Sequence, residues 1–375
     1  MAFQTKPLIL SLGTAVLGSG LSIQAYAIDG GISPLSANAC VALQSNPERL
    51  ACYDALFKAP SVEVRPFVSE REAARSITTK GESITTKIKN NVVAVEAPAF
   101  TSNTSLLDSR WELSPESKLG TWQVRAYQPV YVLPAFWTSN KNEQPVSKNP
   151  DNVVSNEEVV PLDSTEMKYQ LSLKTKALEN IFGDNGDLWL GYTQSSRWQM
   201  YNGEESRPFR ETNYEPEATL MFRTNYEMFG LNGRLLGFTF NHQSNGRSDP
   251  WSRSWNRFML NVGFERENFA VMLRPWYRIP EKAKNDNNPD IEDYIGRGDL
   301  TAFYRYKDQD FSLMLRHSLK GGDDSRGAAQ LDWNFPINGR LRGKFQVFHG
   351  YGESMIDYNH RATYVGLGVS LLDWF

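Results

Sequence analysis

The sequence predicts an all-β protein: a 12-stranded antiparallel transmembrane β-barrel, preceded by a small helical and polar N-terminal extension. Three observations favour this fold class. An export signal opens the chain, short segments of alternating polarity fill it from about residue 121 onward, and 10 Trp, 16 Tyr and 20 Phe accompany a mean hydropathy of only −0.48. Transmembrane barrels combine these properties because one side chain in two faces lipid while its neighbours face a polar lumen.

Residues 1–27 have the three parts of a secretory signal peptide. Lys6 provides the positive charge, the apolar stretch PLILSLGTAVLGSGLSIQ follows, and Ala25 to Ala27 (AYA) form an A-x-A cleavage site. A membrane anchor is the weaker alternative, because the stretch is diluted by Gly and Ser and has no stop-transfer flank. No later run approaches the roughly 18 apolar residues that a spanning helix needs, so we expect any membrane crossing to use strands.

Residues 28–118 are predicted to form a periplasmic extension, with a short helical hairpin at 28–58 and then a polar linker in which SITTKGESITTK nearly repeats itself. The hairpin contains both cysteines, Cys40 and Cys52. An Asn-Pro step between them is typical of the start of a new helix, so the two helices can fold back on each other. A disulfide in an oxidising periplasm and two unpaired cysteines are the two alternatives.

The barrel is assigned to residues 119–375, where twelve segments of alternating polarity are separated by Gly, Asn, Asp and Pro. The segments are 122–136, 167–176, 187–201, 217–227, 235–244, 252–265, 268–278, 292–306, 310–317, 326–335, 341–350 and 362–375. An even number of strands in an exported chain favours a closed antiparallel barrel. A soluble β-sandwich would explain neither the apolar face of nearly every segment nor the terminal aromatic, Phe375.

Three polar residues lie in the lipid-facing rows of two neighbouring predicted strands. Because side chains alternate with period two, His242 and Ser244 continue the apolar row of the fifth strand, and Asn256 lies in the equivalent row of the sixth. Polar side chains that face lipid are costly and therefore usually functional. A polar girdle at the level of the lipid headgroups is the alternative for any one of them.

Chemically, these residues are a serine nucleophile, a histidine general base and a group that orients the imidazole. The Asn256 carboxamide oxygen can accept a hydrogen bond as a carboxylate would, without placing a charge near lipid. If the N-terminus is periplasmic, the three residues lie at the extracellular ends of their strands. A phospholipid of the outer leaflet reaches that position by lateral diffusion, so we expect hydrolysis of phospholipid esters.

The barrel region also resembles a known family in its motifs. YTQSSRWQMYNGEESRPFRETNYEPE (192–217), NHQSNGRSDPWSRSWNR (241–257), PWY (275–277), NPDI (288–291) and GYGESMIDYN (350–359) are similar to those of outer-membrane phospholipase A, a calcium-dependent lipid hydrolase of Gram-negative bacteria with a twelve-stranded barrel. The resemblance covers roughly residues 120–375. It implies phospholipase A1 and A2 activity on the sn-1 and sn-2 esters of phospholipids and lysophospholipids, with Ser244 as nucleophile, His242 as base and Asn256 as orienter.

The resemblance further implies Ca²⁺ as cofactor and a homodimer as the active form. The implied calcium ligands are the main-chain carbonyl of Arg247, the Ser252 hydroxyl and the main-chain carbonyl of Ser206 of the partner subunit. A second calcium position in the family uses an Asp just before the NPD motif. Here Asn287 aligns with that Asp and Asp286 stands one residue earlier, so the second position is left open.

Gln194 belongs to the outward row of the third predicted strand. A lone amide in lipid would lack hydrogen-bond partners, and the same residue of a second subunit could supply them. The resemblance implies a glutamine at the dimer interface. An inward position after a one-residue slip of register is the alternative.

Other function classes are less well supported. A net charge of −3 and a pI of about 5.9 give no indication of a nucleic-acid partner. A non-enzymatic small porin or structural barrel remains the alternative function, but long inward side chains such as Lys168, Lys174 and Arg257 leave little room for a channel in twelve strands. A protease barrel would place acidic residues in the lumen or at loop tops, instead of a His–Ser pair facing lipid.

Overall fold

The structure is a computed structural model, and it describes Ser45, residues 105–339 and residues 341–373. The predicted signal peptide, the helical hairpin with Cys40 and Cys52 (all but Ser45), and the terminal Phe375 lie outside the described residues. Of the polar linker, only the part from residue 105 onward is described.

Strands dominate the described part of the chain. In chain order they are β1 (Val124–Ala126), β2 (Val130–Thr138), β3 (Thr165–Leu178), β4 (Asp187–Trp198), β5 (Phe209–Met228), β6 (Leu231–Ser244), β7 (Ser254–Arg266), β8 (Phe269–Arg278), β9 (Gly298–Tyr306), β10 (Gln309–His317), β11 (Gly327–Asn338), β12 (Leu341–Tyr351) and β13 (Arg361–Leu372). Two short α-helices accompany them, α1 (Leu106–Trp111) and α2 (Glu292–Ile295).

The strands close into a 12-stranded antiparallel barrel, which confirms the predicted fold class. Each strand from β2 to β13 pairs with the next along the chain, and β13 pairs back with β2. β1 and β2 are two pieces of one barrel strand, since Ala126 pairs with Leu173 and Tyr131 pairs with Gln170 farther along β3. Closure pairs each strand from β2 to β13 on both sides, which a bilayer requires because lipid offers no hydrogen bonds to an exposed backbone.

The predicted alternation of side chains also holds along the strands. On β3, Leu171 and Leu173 are 53% and 44% exposed on the outside, whereas Lys168 and Lys174 are buried in the lumen. The same pattern recurs around the barrel, and the outward apolar residues include Phe238, Phe240, Phe258, Leu300, Leu313, Leu315, Leu331 and Leu367. This band is the surface that a transmembrane barrel presents to lipid. No helix in the described part of the chain is long and apolar enough to cross a bilayer.

The connections at the two ends of the barrel differ in length. One end has turns such as 229–230, 267–268 and 307–308. The other end has the loops 139–164, 199–208, 245–253, 279–297, 318–326 and 352–360. Outer-membrane barrels place short turns on the periplasmic side and long loops outside the cell. The ends of β6 and β7 that carry His242, Ser244 and Asn256 are at the long-loop end.

Helix α1 lies inside the barrel near the short-turn end, although the sequence analysis placed residues 105–117 in the polar linker. Leu106, Leu107 and Trp111 are buried. The Leu107 N–H donates to Glu265 at 2.9 Å, and the Lys174 ammonium lies 3.5 Å from the centre of the Trp111 ring. Six residues are too few to show a helical period in sequence, so only the packing identifies the helix.

Two predicted strand boundaries are wrong for identifiable reasons. The segment 292–306 was predicted as one strand, but 292–295 form α2, and β9 begins at Gly298. Ile291 and Ile295 pack with Tyr358 in a cluster that covers the mouth of the barrel, which holds this segment in a helical turn. β5 begins at Phe209, eight residues before the predicted start, because the polar residues that begin it carry no apolar alternation.

Charged side chains and an inward loop fill the lumen. Glu353, on the loop 352–360, forms ion pairs of 2.7 Å with both Lys168 and Arg197. Farther along the lumen, Lys344 pairs with Asp332 at 2.6 Å. Among these side chains a cavity of about 210 Å³ remains. The lumen of the barrel is therefore packed with side chains and does not form an open pore.

Candidate active site

His242 and Asn256 are joined across two neighbouring strands. They are direct cross-strand partners in the β6–β7 ladder, and the His242 Nδ1 lies 2.8 Å from the Asn256 Oδ1. Both side chains are half-buried. The next residues in the same outward rows, Phe240 and Phe258, are 43% and 56% exposed, so the pair lies on the outside of the barrel where the apolar band ends.

The partner of the Asn256 amide nitrogen determines which way the carboxamide faces. Its Nδ2 donates to the Glu281 Oε1 at 3.3 Å. An ionised carboxylate only accepts hydrogen bonds, so the Nδ2 must face Glu281 and the Oδ1 must face His242. The His242 Nδ1 therefore carries the proton, and its Nε2 has the lone pair that a general base needs.

Ser244 follows His242 by two residues on the same strand and therefore projects from the same face. Their Cα atoms are about 6.6 Å apart at the usual rise of a strand. The cross-strand partners of Ser244 are Tyr214 on β5 and Ser254 on β7. Its hydroxyl makes no hydrogen bond within the described part of the chain, so it is available to a substrate.

A Ser–His hydrogen bond elsewhere in the described residues runs in the wrong direction to activate its serine. The His317 Nε2 lies 3.0 Å from the Ser325 hydroxyl, but the His317 Nδ1 accepts the Leu319 N–H at 2.9 Å. In a neutral imidazole the proton must then be on the Nε2, which donates to the serine instead of accepting from it. His317 is thus in the wrong tautomer for a general base, whereas His242 is in the right one.

The loop 245–253 holds two of the three residues that the resemblance implied for calcium. Its shape comes from the buried Asn245, whose Oδ1 accepts the Arg253 N–H at 2.9 Å and the Arg247 N–H at 3.4 Å. Arg247 is exposed and Ser252 is half-buried. The candidate calcium ligands of this loop are all oxygen atoms, namely those of the Arg247 carbonyl, the Ser252 hydroxyl and the Asp249 carboxylate. Ca²⁺ prefers oxygen ligands.

Ser206 and Asp286 belong to other loops, 199–208 and 279–297. Ser206 is exposed in the turn 199–208, with a φ of 58°. Asp286 is buried, and its Oδ1 accepts from the Arg278 guanidinium at 2.6 Å and from the Asn288 N–H at 3.1 Å. The neighbouring Asn287 instead points to the loop, since its amide donates to the Asp249 carboxylate at 3.1 Å.

Gln194 lies on the outward face of β4, opposite Leu171 on β3 and Tyr214 on β5. Its Oε1 accepts from the Tyr192 hydroxyl at 3.3 Å. The amide NH₂ makes no hydrogen bond within the residues that the structure describes. A donor of this kind on an otherwise apolar face needs a partner from outside the subunit.

The sequence analysis missed two carboxylates of this region. Asp249 stood inside the quoted motif NHQSNGRSDPWSRSWNR and could have been selected as its only acid. Glu281 had no sequence signal, because it reaches Asn256 only through the pairing of β8 with β7, which Ile279 continues by donating its N–H to the Asn256 carbonyl at 2.9 Å. Burial raises the pKa of the Glu281 carboxyl, and the nearby Asp286 raises it further.

Comparison with known proteins identifies the family of this chain. A family model described as phospholipase A1 matches residues 107–371.

The chain belongs to the phospholipase A1 family.

This confirms the predicted family and places the chain among outer-membrane phospholipases. A relative from Neisseria meningitidis is 38% identical over 349 residues, which cover 89% of this chain and 90% of the relative. Phospholipase A1 of Escherichia coli K12 is 44% identical over 210 residues, covering 56% of this chain and 71% of that protein.

Solved structures of the family match the barrel. Outer membrane phospholipase A from E. coli superposes with a TM-score of 0.60 at 38% identity, covering 67% of this chain and 95% of that one. An E. coli active-site mutant with asparagine replaced by alanine gives a TM-score of 0.61 at 38% identity, covering 69% and 95%. The outer-membrane phospholipase dimer of Salmonella typhi with bound calcium gives 0.61 at 37% identity, also covering 69% and 95%.

Proposed function

We propose that this family member hydrolyses the sn-1 and sn-2 acyl esters of phospholipids and lysophospholipids with the triad Ser244, His242 and Asn256. The observation that carries the proposal is the 2.8 Å contact between the His242 Nδ1 and the Asn256 Oδ1 on the outward face, with Ser244 in the same row. The active-site asparagine of the E. coli relative supports the same role for Asn256.

The two half-reactions follow from the tautomer of His242. The Nε2 takes the proton of the Ser244 hydroxyl while the oxygen attacks the ester carbonyl carbon, and the same proton then goes to the leaving lysophospholipid alcohol as the ester C–O bond breaks. Water next attacks the acyl-serine, His242 takes its proton, and a fatty acid leaves as that proton returns to Ser244. Asn256 stabilises the positive imidazolium in both steps through its carboxamide oxygen.

The position of the triad determines which substrates can reach it. Phe240 and Phe258 extend the rows of His242 and Asn256 along the lipid-facing surface. A phospholipid can place its acyl chains against these rings and its ester group at the height of Ser244. A water-soluble ester has no such surface to bind, so we expect preference for aggregated lipid.

The alternative of a small porin or structural barrel is disfavoured by the interior of the barrel. Helix α1 lies inside it near the short-turn end, and the loop 352–360 enters it from the other. Met355 and Ile356 of that loop donate their backbone N–H groups to Asn213 and Glu211 at 3.0 and 3.1 Å. An ion would have to displace these groups and the lumenal ion pairs to cross.

We further propose that activity requires Ca²⁺ and a homodimer. The Arg247 carbonyl, the Ser252 hydroxyl and the Asp249 carboxylate of one subunit would hold the ion with the carbonyl of Ser206 of the partner subunit. Bound calcium would supply positive charge that stabilises the oxyanion of the tetrahedral intermediate. The calcium-bound dimer of the S. typhi relative supports both points. The Gln194 NH₂, which has no hydrogen-bond partner among the described residues, provides a contact for the second subunit.

The test is fatty-acid release from phospholipid in mixed micelles by the purified protein, with calcium and with excess chelator. We expect release with calcium, little with chelator, and none from the Ser244→Ala variant under either condition. Ser254→Ala is the matched control, because Ser254 is the cross-strand neighbour of Ser244 on the same face and has no role in the triad. Undiminished release by a folded Ser244→Ala variant would overturn the proposed nucleophile.

A further inference from the structure

We propose that Glu281 is a positioning residue of the active site, which sets the orientation of the Asn256 carboxamide and, through it, the tautomer of His242. The inference rests on the proposed function, since it assigns a task to a residue beside the proposed triad. It extends the triad by one member that the motif 241–257 does not contain.

The path of the chain after β8 brings Glu281 to this place. β8 ends at Arg278, and the next residue, Ile279, continues the pairing by donating its N–H to the Asn256 carbonyl at 2.9 Å. Glu281 follows two residues later, half-buried, with its Oε1 3.3 Å from the Asn256 Nδ2. Backbone and side chain of Asn256 are thus both held by the same short stretch of loop.

The polarity of the contacts gives Glu281 its task. A carboxamide has two nearly isosteric ends, and the imidazole of His242 could accept from the nitrogen end or donate to the oxygen end. Only the second arrangement leaves the His242 Nε2 free to take the Ser244 proton. A carboxylate accepts hydrogen bonds and does not donate them, so Glu281 holds the Asn256 Nδ2 on its own side. The Asn256 Oδ1 then faces His242, which is the arrangement that the reaction needs.

The charge of Glu281 adds a second effect. Proton transfer from Ser244 makes His242 positive, and the group that touches its Nδ1 is a neutral amide. The Glu281 carboxylate stands directly behind that amide, where it polarises the carboxamide and strengthens the bond to the imidazolium. The titratable groups around Glu281 are Asp286 on the same loop, Arg278 at the end of β8 and His242 on β6, and the first two are paired with each other at 2.6 Å.

The experiment compares Glu281→Ala and Glu281→Gln with the wild-type protein in the mixed-micelle assay. Loss of a hydrogen bond to a charged group should lower kcat about ten-fold in Glu281→Ala, with KM little changed, because the substrate does not touch this residue. Gln has the same shape but can turn over and donate to Asn256, so we expect only partial recovery. Full recovery by Gln would assign Glu281 a merely structural role and overturn the inference.

A double-mutant cycle and a spectroscopic measurement separate orientation from stability. In the Asn256→Ala background, Glu281→Ala should cause no further loss, since the residue acts through Asn256. In protein labelled with ¹⁵N at its four histidines, the His242 signals, assigned by their loss in His242→Gln, should report the Nδ1–H tautomer in the wild type. In Glu281→Ala they should report a mixture of the two tautomers. A wild-type tautomer in that variant contradicts the inference.

Two controls distinguish a failure of the inference on Glu281 from a failure of the proposed function. Glu292→Gln alters a carboxylate of the same loop that pairs with Arg297 at 3.6 Å, and it should behave as wild type. Ser244→Ala should be inactive. If Ser244→Ala is inactive while both Glu281 variants match the wild type, only the inference on Glu281 fails. If Ser244→Ala is active, the proposed triad itself fails.

Discussion

Replacing Asn256 with Ala removes the hydrogen bond that orients His242 and leaves the nucleophile in place. In the resting site this bond joins two neutral groups at 2.8 Å, but in the transition state its donor is a positive imidazolium. Hydrogen bonds to charged groups contribute about 1.5–3 kcal/mol. With a factor of ten in rate for each 1.36 kcal/mol, kcat should fall roughly ten-fold to hundred-fold.

The Asn256→Ala substitution should affect kcat alone, and the size of that loss has an upper limit. The side chain is half-buried on the outside of the barrel, so its removal leaves no cavity in the lumen and the barrel should assemble normally. Because the lipid ester does not contact Asn256 in the proposed reaction, KM should stay near the wild-type value. An ionised orienter can be worth about 10⁴ in kcat, and a neutral amide should contribute less.

The assay is fatty-acid release in mixed micelles at saturating calcium. Heat-modifiable gel mobility checks the folding of each variant. Ser254→Ala, on the same strand and face, serves as the control for a lost polar group near the site. If Asn256→Ala turns over at the wild-type rate while Ser244→Ala is inactive, then another group orients His242 and the reasoning is refuted.

Three further predictions test the dimer, the ion and the extent of the barrel. Gln194→Ala should weaken dimerisation, measured by crosslinking. It should also raise the calcium concentration for half-maximal activity, since dimerisation and calcium binding are linked. A monomeric variant with an unchanged calcium midpoint would contradict this prediction. Asp249→Asn should raise the same midpoint about ten-fold without changing the rate at saturating calcium, which a calcium titration checks. Deleting residues 28–104 should leave folding and activity intact. Deleting residues 28–117 should lower the unfolding temperature, because each buried side chain of α1 stabilises the barrel by about 1.5–3 kcal/mol. Equal unfolding temperatures for the two truncations would show that α1 contributes little.

What the sequence determined on its own is the part of the molecule that follows from local alternation. A strand places every second side chain on one face, so Leu171 and Leu173 could be placed outside and Lys168 and Lys174 inside without a structure. The same rule placed His242 and Ser244 together, since they are two residues apart on one strand. Asn256 followed because it lies near the start of the next strand after a single loop, and the structure pairs it directly with His242.

Only the tertiary structure decided the features that depend on contacts distant in sequence. Closure of β13 onto β2 joins residues more than 220 positions apart, as in the pair Tyr364 and Thr138. Packing inside the lumen turned part of the predicted linker into α1, and packing at the mouth turned the start of a predicted strand into α2. The commitment of Asp286 to Arg278 and the approach of Glu281 to Asn256 arise in the same way. Periodicity records which face of a strand a side chain takes, but a loop has no period, and its side chains find their partners only when the closed barrel brings the strand ends together.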